Sequence, residues 1–159
     1  MSSLIRTARA TGAWYLGLAV TGMLGFLVLR GQIFTGDAAE TLANLTDNAA
    51  LAHLTVVMEL LIVITQAVAA VWFYKTLRGI NPMAGVSIAA FGLVNAVAIL
   101  ASAAYMGAAI AVAGDSSLAP GGDAAATVGL LGELSAQSWG VGAIFFGLWL
   151  IPMGWVALQ

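Results

Sequence analysis

Seven polar side chains stand out within the otherwise apolar stretches of this chain. They are His53, Glu59, Gln66, Asn95, Tyr105, Glu133 and Gln137. Polar groups are costly to keep in apolar surroundings, and those found there often bind a proton, a cation or a polar ligand. We therefore predict these seven as candidate residues for ligand or proton binding. Glu59 is the central candidate, because a buried carboxyl group must either keep its proton or find a partner.

The spacing of four of these residues predicts how they could meet. Glu59 and Gln66 lie seven residues apart, and Glu133 and Gln137 lie four apart, so each pair shares one face of a helix. If the two faces meet between helices, they enclose a polar pocket. His53, Glu59 and Glu133 would form a metal or acid–base site only if the fold brought them within about 3–5 Å of one another.

Six of the seven candidates also have a simpler structural interpretation. Glu59 could form a hydrogen bond to a neighbouring helix as a protonated acid, and Gln66 and Asn95 could join helices in the same way. Glu133 and Gln137 could lie at the interface between the membrane and water. The histidine lies next to a loop, where it could simply be solvated.

The rest of the composition excludes several kinds of chemistry. The chain has no cysteine, which excludes disulfides, thiolate metal sites and cysteine nucleophiles. Its single histidine excludes paired-histidine haem ligation within one chain. The sequence has no catalytic triad, nucleotide-binding loop or metal-ligand spacing, so we predict no cofactor, no metal and no enzyme activity. The net charge of −2 does not favour nucleic acid as a partner.

The elements that must position these residues are long apolar helices. Of the 159 residues, 62% are hydrophobic and 8% are charged, whereas soluble domains carry roughly 25% charged residues. Apolar runs cover residues 10–30, 51–75, 83–113 and 127–158, and each can cross about 30 Å of hydrocarbon. The first run exceeds the roughly 7–15-residue core of a signal peptide. We predict an all-α integral membrane four-helix bundle, with residues 1–159 as a single transmembrane domain.

A short amphipathic helix is predicted in the loop after the first apolar run. Asp37 precedes residues 38–45, and Glu40 occupies the third helical position, as in a capping box. Leu42 and Leu45 lie three residues apart and share one face. This short helix could therefore lie along the extracytoplasmic surface of the membrane.

Prolines and small residues predict how the long helices end and pack. Pro82 suits the first turn of the third helix, and Pro152 predicts a kink or an end to regular hydrogen bonding in the fourth. Small residues four apart let helix backbones approach one another in lipid. We predict three such packing seams, formed by Gly17, Thr21 and Gly25; by Ala103, Gly107 and Ala111; and by Gly132, Ala136 and Gly140.

The distribution of positive charges predicts the orientation. Arg6 and Arg9 precede the first run, and Lys75 and Arg78 lie between the second and third, whereas the other two loops hold Arg30 alone beside five acidic residues. Lys and Arg concentrate on the cytoplasmic side of membrane proteins. We predict a multi-pass protein of the bacterial cytoplasmic (inner) membrane with both termini cytoplasmic. The aromatic residues that fall toward that side, where interfacial aromatics belong, are Trp14, Tyr15, Trp72, Tyr74, Trp149 and Trp155, with Trp149 somewhat deeper than the others.

Counting helical residues from these charges predicts the depth of the candidates. At roughly 1.5 Å per residue, Gln66 lies about 13 Å from Lys75, near the midplane, and Glu59 lies about 24 Å from it. Five candidates then fall in the outer third of the membrane: His53, Glu59, Tyr105, Glu133 and Gln137. The predicted polar pocket would therefore open to the outside.

Several stretches of this chain are distinctive. They are residues 6–12 (RTARATG), 36–39 (GDAA) with Asn44, 140–142 (GVG) and 145–155 (FFGLWLIPMGW). Together they resemble an uncharacterised bacterial integral-membrane family, domain of unknown function four-three-eight-six. The resemblance covers nearly the whole chain and implies the membrane fold, with no activity or catalytic residue to carry over. Members of that family usually continue further, so it also implies a short or C-terminally truncated member.

These observations leave two functions open. The small-residue seams and the lack of catalytic groups favour a binding or accessory/structural membrane subunit with an outward-facing polar pocket. Its partners would be the lipid bilayer, further copies of itself or other membrane subunits. The alternative is an oligomeric proton-coupled or cation transporter, in which Glu59 alternates between a proton and the substrate.

Overall fold

Five helices make up most of the structure, a computed structural model that describes residues 3–158. They are α1 (Leu4–Ile33), α2 (Ala38–Asp47), α3 (Ala49–Leu77), α4 (Pro82–Gly114) and α5 (Ala124–Ala157). All but the short α2 are long and apolar enough to cross a membrane. No strand occurs in the described range. The predicted all-α four-helix architecture with one short extra helix is therefore confirmed.

The outer surface of the bundle is apolar. Large side chains such as Leu27 and Ile151 are 71% and 66% exposed, and similar residues cover the outward faces of all four long helices. Such surfaces are unfavourable in water but match lipid tails. The chain is therefore a multi-pass membrane protein.

Polar side chains cap the helices where the apolar runs end. Asp37, Asn81 and Asp123 each accept a hydrogen bond from the backbone N–H three residues ahead, at the starts of α2, α4 and α5. Pro82 occupies the first turn of α4, as predicted. The helix α5 continues past Pro152 to Ala157, which agrees with the predicted span of residues 127–158. Proline removes only one helical hydrogen bond, and lipid offers the neighbouring turns no better partners.

The last part of α1 departs from regular α-helix. α1 is a regular α-helix up to Gly22. It then forms π-helical turns over Met23–Arg30 and a final α-helical turn, Gly31–Ile33. The wider π turns change the angular position of the side chains on them, and such turns are frequent at functional sites. Arg30 lies at the end of this segment and is buried in the bundle. Its predicted place in the outer loop is therefore wrong.

The helices pack in the order α1, α3, α4 and α5. α4 lies between α3 and α5, α1 packs on α3, and α2 lies mainly against α5. In contrast, α1 and α5 meet through side chains, such as Phe26 with Trp139 and Tyr15 with Trp149, rather than through close backbone packing. This arrangement leaves a cleft between α1 and α5.

The first predicted packing seam is confirmed. Thr21 and Thr65 share a hydrogen bond of 3.1 Å between α1 and α3. A Cβ added at Gly25 would lie 3.1 Å from the Cβ of Met58, so the two helices approach closely there. The small residues of α1 thus face α3.

The other two predicted seams fail at Gly107 and Gly140, where an added Cβ would have no neighbour within 4 Å, although Ala103 and Gly132 of the same seams are packed against neighbours. α4 and α5 approach closely at Gly142 instead, where a Cβ would come 2.8 Å from Oδ1 of Asn95. These helices are apolar on every side, so a small residue four positions from another can equally well face lipid.

Gly92 provides a test of close packing between α3 and α4. A Cβ there would lie 2.9 Å from the Cβ of Ala70, which is itself fully buried. We expect Gly92→Ala to lower the free energy of unfolding in micelles by about 1–3 kcal/mol, because the two helices must separate. Gly107→Ala on the same helix is the control and should leave stability unchanged or raise it by up to about 1 kcal/mol. Equal effects of the two variants would contradict this packing.

Candidate functional site

A buried ion pair joins α1 to α3. Nη1 of Arg30 lies 2.5 Å from Oε1 of Glu59, and the Glu59 side chain is fully buried. Arg30 comes from the π-helical end of α1 and is 8% exposed. Two opposite charges removed from water in this way require further hydrogen bonds to offset the loss of solvation.

Side chains from α4 and α5 supply these hydrogen bonds. Nη2 of Arg30 donates to Oγ of Ser135 at 2.7 Å, the two serine hydroxyls lie 2.7 Å apart, and Oγ of Ser102 donates to Oε2 of Glu59 at 3.0 Å. Nε1 of Trp139 donates to Oε1 of Glu59 at 2.9 Å. All four long helices therefore meet at one polar cluster, formed by Arg30, Glu59, Ser102, Ser135 and Trp139.

The surroundings of the cluster further reduce its exposure. The guanidinium carbon of Arg30 lies 5.9 Å from the ring centre of Phe26 and 5.8 Å from that of Phe34, within the range of cation–π attraction. Nη1 also contacts Sδ of Met106 at 3.4 Å. With both carboxylate oxygens bonded and aromatic rings around the cation, the cluster is suited to joining helices.

Sequence reasoning identified Glu59 but missed its partners. The expectation that the buried carboxyl group would have a partner is confirmed by Arg30. Arg30 closes an apolar run, which is also the usual position of an interfacial charge, and serines are common in membrane helices, so neither type of residue marks a site by itself. The depth of the two residues could have indicated the pair. Arg30 lies about 31 Å along α1 from Arg9, and Glu59 lies about 24 Å along α3 from Lys75, so both lie toward the same side of the membrane.

The candidates predicted nearer the outer surface lie apart from this cluster. His53, Glu133 and Gln137 are exposed, and Nε2 of Gln137 donates to Oε1 of Glu133 at 2.6 Å. Tyr105 is half-buried and borders a shallow surface cavity together with Gln137. Within residues 3–158, no group of three or more His, Asp or Glu side chains could hold a metal ion.

Glu133 also borders a small cavity beneath α2. This cavity has a volume of about 140 Å³, and its other polar lining residues include Arg30, Asp37 and Thr41. At roughly 30 Å³ per water molecule, it has room for only a few waters. Glu59 does not line it.

The two remaining candidates, Gln66 and Asn95, line the cleft between α1 and α5. This cleft has a volume of about 440 Å³ and opens at the side of the bundle. None of the described residues that line it is charged, and its apolar and aromatic lining includes Tyr15, Leu18, Phe26, Ile62, Trp139 and Phe146. The structure thus places both amides in the lining of one apolar cleft, which adjoins the polar cluster through Trp139 and Phe26.

Neither amide of the cleft has its hydrogen-bonding capacity satisfied. Gln66 and Asn95 are only 1% and 5% exposed. Nε2 of Gln66 is buried without an acceptor, and so is Nε1 of Trp149 nearby. In the described part of the chain, the side chain of Asn95 makes no hydrogen bond. A buried polar group without a partner costs about 1–3 kcal/mol, so these groups require an explanation.

The four spanning helices and the ion pair between them define a polytopic α-helical membrane protein. The family described as Domain of unknown function (DUF4386) matches residues 10–159, and the chain belongs to this family. The resemblance seen in the sequence is therefore confirmed. Neither a curated protein nor a solved structure matches the chain significantly.

Proposed function

We propose that this protein is a membrane-embedded binding protein that takes an amphipathic, lipid-like ligand into the cleft between α1 and α5. The observation that carries this proposal is Nε2 of Gln66, which is buried without an acceptor, together with the amide of Asn95 in the lining of the same, otherwise apolar cleft. Ligand sites are commonly apolar concavities with a few polar groups that fix orientation. A volume of about 440 Å³ lies within the usual range for such sites.

The position of the cleft supports a ligand that arrives from the lipid. It lies between two helices whose outward faces are apolar, and it is bordered by Gly22, Met23 and Leu27 on α1. A lipid-soluble molecule could enter it sideways without crossing water. The small polar cavity at the end of α1 offers room for only a few waters and gives less support to a ligand site.

The alternative, an oligomeric proton-coupled or cation transporter, depends on Glu59. In this mechanism the carboxylate must exchange a proton for a substrate. Glu59 is instead bonded to Arg30, Ser102 and Trp139 and is fully buried. The geometry therefore gives the binding function more support. A Glu59→Gln variant that changed a solute flux or its pH response while remaining folded would favour the transporter.

We further propose the cytoplasmic membrane as the location, with both termini cytoplasmic. The burial of Arg30 in the bundle supports this orientation, because residues 34–48 and 115–123 then contain acidic residues and neither Lys nor Arg. Lys75 and Arg78 lie on the opposite side, near the end of α3. This is the charge asymmetry that the positive-inside rule requires.

The binding function predicts that filling the cleft displaces bound lipid. Ala143 is exposed and lines the cleft, so Ala143→Phe should occupy it without disturbing the helix contacts. We expect the variant to retain several-fold less co-purified lipid than the wild type, measured by native mass spectrometry after detergent washing. Ala104→Phe, at an exposed position of α4 outside the cleft, is the matched control. Equal lipid retention in all three proteins would contradict the proposed function.

A further inference from the structure

We infer that the ligand of this cleft is an uncharged lipid whose carbonyl oxygen accepts hydrogen bonds from Gln66 and Asn95 near the middle of the membrane. This inference rests on the proposed function and specifies the chemistry of its ligand. Under this inference the two amides determine which ligand binds, whereas the ion pair between Arg30 and Glu59 joins the helices.

The absence of charge in the lining favours a neutral ligand. Lys, Arg, Asp and Glu are absent from the residues that border the cleft. Trp139, which lines the cleft, donates to Glu59, but that carboxylate is already neutralised by Arg30. A phosphate or carboxylate head group in the cleft would therefore lose its hydration without gaining a counter-charge, at a large cost in free energy.

The depth of the amides excludes ligands whose polar group must stay at the membrane surface. Gln66 and Asn95 both lie near the middle of their helices, α3 and α4. Gln66 is nine residues, or about 13 Å of helix, from Lys75 at the inner end of α3. A ligand bound here must therefore carry a weakly polar group that can reside within the hydrocarbon, which fits a ketone, a quinone or a simple ester.

The inventory of donors favours an accepting group on the ligand. Each amide has two N–H donors and one carbonyl acceptor, and the indole N–H of Trp149 is a further donor without a partner near Gly92. Among these three side chains, of which Trp149 lies behind the cleft lining, five N–H groups face two carbonyl oxygens, so an acceptor on the ligand would find a free donor. A half-turn of the Gln66 amide exchanges its oxygen and nitrogen and would present the donor to the cleft.

A long-chain methyl ketone, isotopically labelled at the carbonyl carbon, tests this inference in nanodiscs. We expect the ketone to bind the wild-type protein about five- to tenfold more tightly than the alkane of the same length, the effect of one or two buried hydrogen bonds. The infrared C=O stretch of the bound ketone should shift to lower frequency. Both the preference and the shift should disappear in Gln66→Leu/Asn95→Leu and persist in Ala104→Phe.

The outcomes separate this inference from the function on which it rests. If ketone and alkane bind the wild type equally and the C=O band does not shift, or if the corresponding fatty-acid anion binds more tightly than the ketone, the inference is overturned. In that case Ala143→Phe would still release lipid and the binding function would stand. If neither probe binds and Ala143→Phe retains lipid normally, the binding function itself fails. Should the leucine variant not fold, the wild-type infrared band alone decides.

Discussion

Replacing Arg30 with methionine should lower the free energy of unfolding by about 3–5 kcal/mol, the largest loss expected from any single substitution in this protein. The substitution leaves Glu59 fully buried without its counter-charge. It also removes the donor to Ser135 and the cation between Phe26 and Phe34. Reversible unfolding in mixed micelles, followed by circular dichroism, measures the change.

A double variant distinguishes the loss of the ion pair from the loss of packing. Arg30→Met/Glu59→Met replaces both charges with apolar side chains, and such replacements of buried pairs are often neutral or stabilising by about 1–4 kcal/mol. We therefore expect it to recover most of the stability lost in Arg30→Met. Arg78→Met, at an exposed position after α3, is the matched control and should change stability by less than about 0.5 kcal/mol. If the double variant is no more stable than Arg30→Met, the loss does not come from leaving Glu59 without its counter-charge.

Truncating Trp149 should have the next largest effect. Its side chain is fully buried, and its ring makes edge contacts with Tyr15, Phe73 and Phe146 at centroid distances of 5.6–6.0 Å. Trp149→Ala removes these contacts and leaves a cavity among helices α1, α3 and α5. We expect a loss of about 3–5 kcal/mol in the free energy of unfolding, measured in the same micelles.

Two further variants show whether burial causes this loss. Trp155 lies on the same helix but is 64% exposed, so Trp155→Ala should cost less than about 1 kcal/mol. Trp149→Phe keeps an aromatic ring and removes the N–H that has no acceptor, so it should cost less than Trp149→Ala. Similar losses in the two alanine variants would mean that Trp149 is not a core residue.

The helices themselves could be predicted because each depends on local composition. Long apolar runs predicted the four spans, and Asp37 and Pro82 marked the starts of α2 and α4 correctly. Capping involves residues only a few positions apart, and the thickness of the membrane limits the length of a span. A carboxyl group within such a run also had to have a proton or a partner, so the importance of Glu59 followed from its position alone.

The rotation of each helix about its own axis, which decides which residues face the bundle interior, could not be predicted in the same way. In a soluble protein the period of hydropathy marks the buried face of a helix, but α3, α4 and α5 are apolar on all sides. Trp149 was therefore grouped with the interfacial aromatic residues, although deeper than the others, and is fully buried in the core, while Gly140 has no neighbour on its open side. Hydropathy determines that these residues lie in a membrane, but only packing determines which of them meet.

The partners of the polar residues were decided by the same packing. Arg30 faces Glu59 from the end of the π-helical turns of α1, and that local geometry has no signature in the composition of residues 23–30. Gln66 shares a helix with Glu59 but belongs to the cleft between α1 and α5, which exists because those two helices meet only through side chains. The amino-acid sequence alone thus established an all-α membrane protein with a few polar residues that need partners. The three-dimensional arrangement divided those residues between an ion pair that joins the helices and a cleft open to lipid, since contacts between distant helices depend on their rotation and spacing.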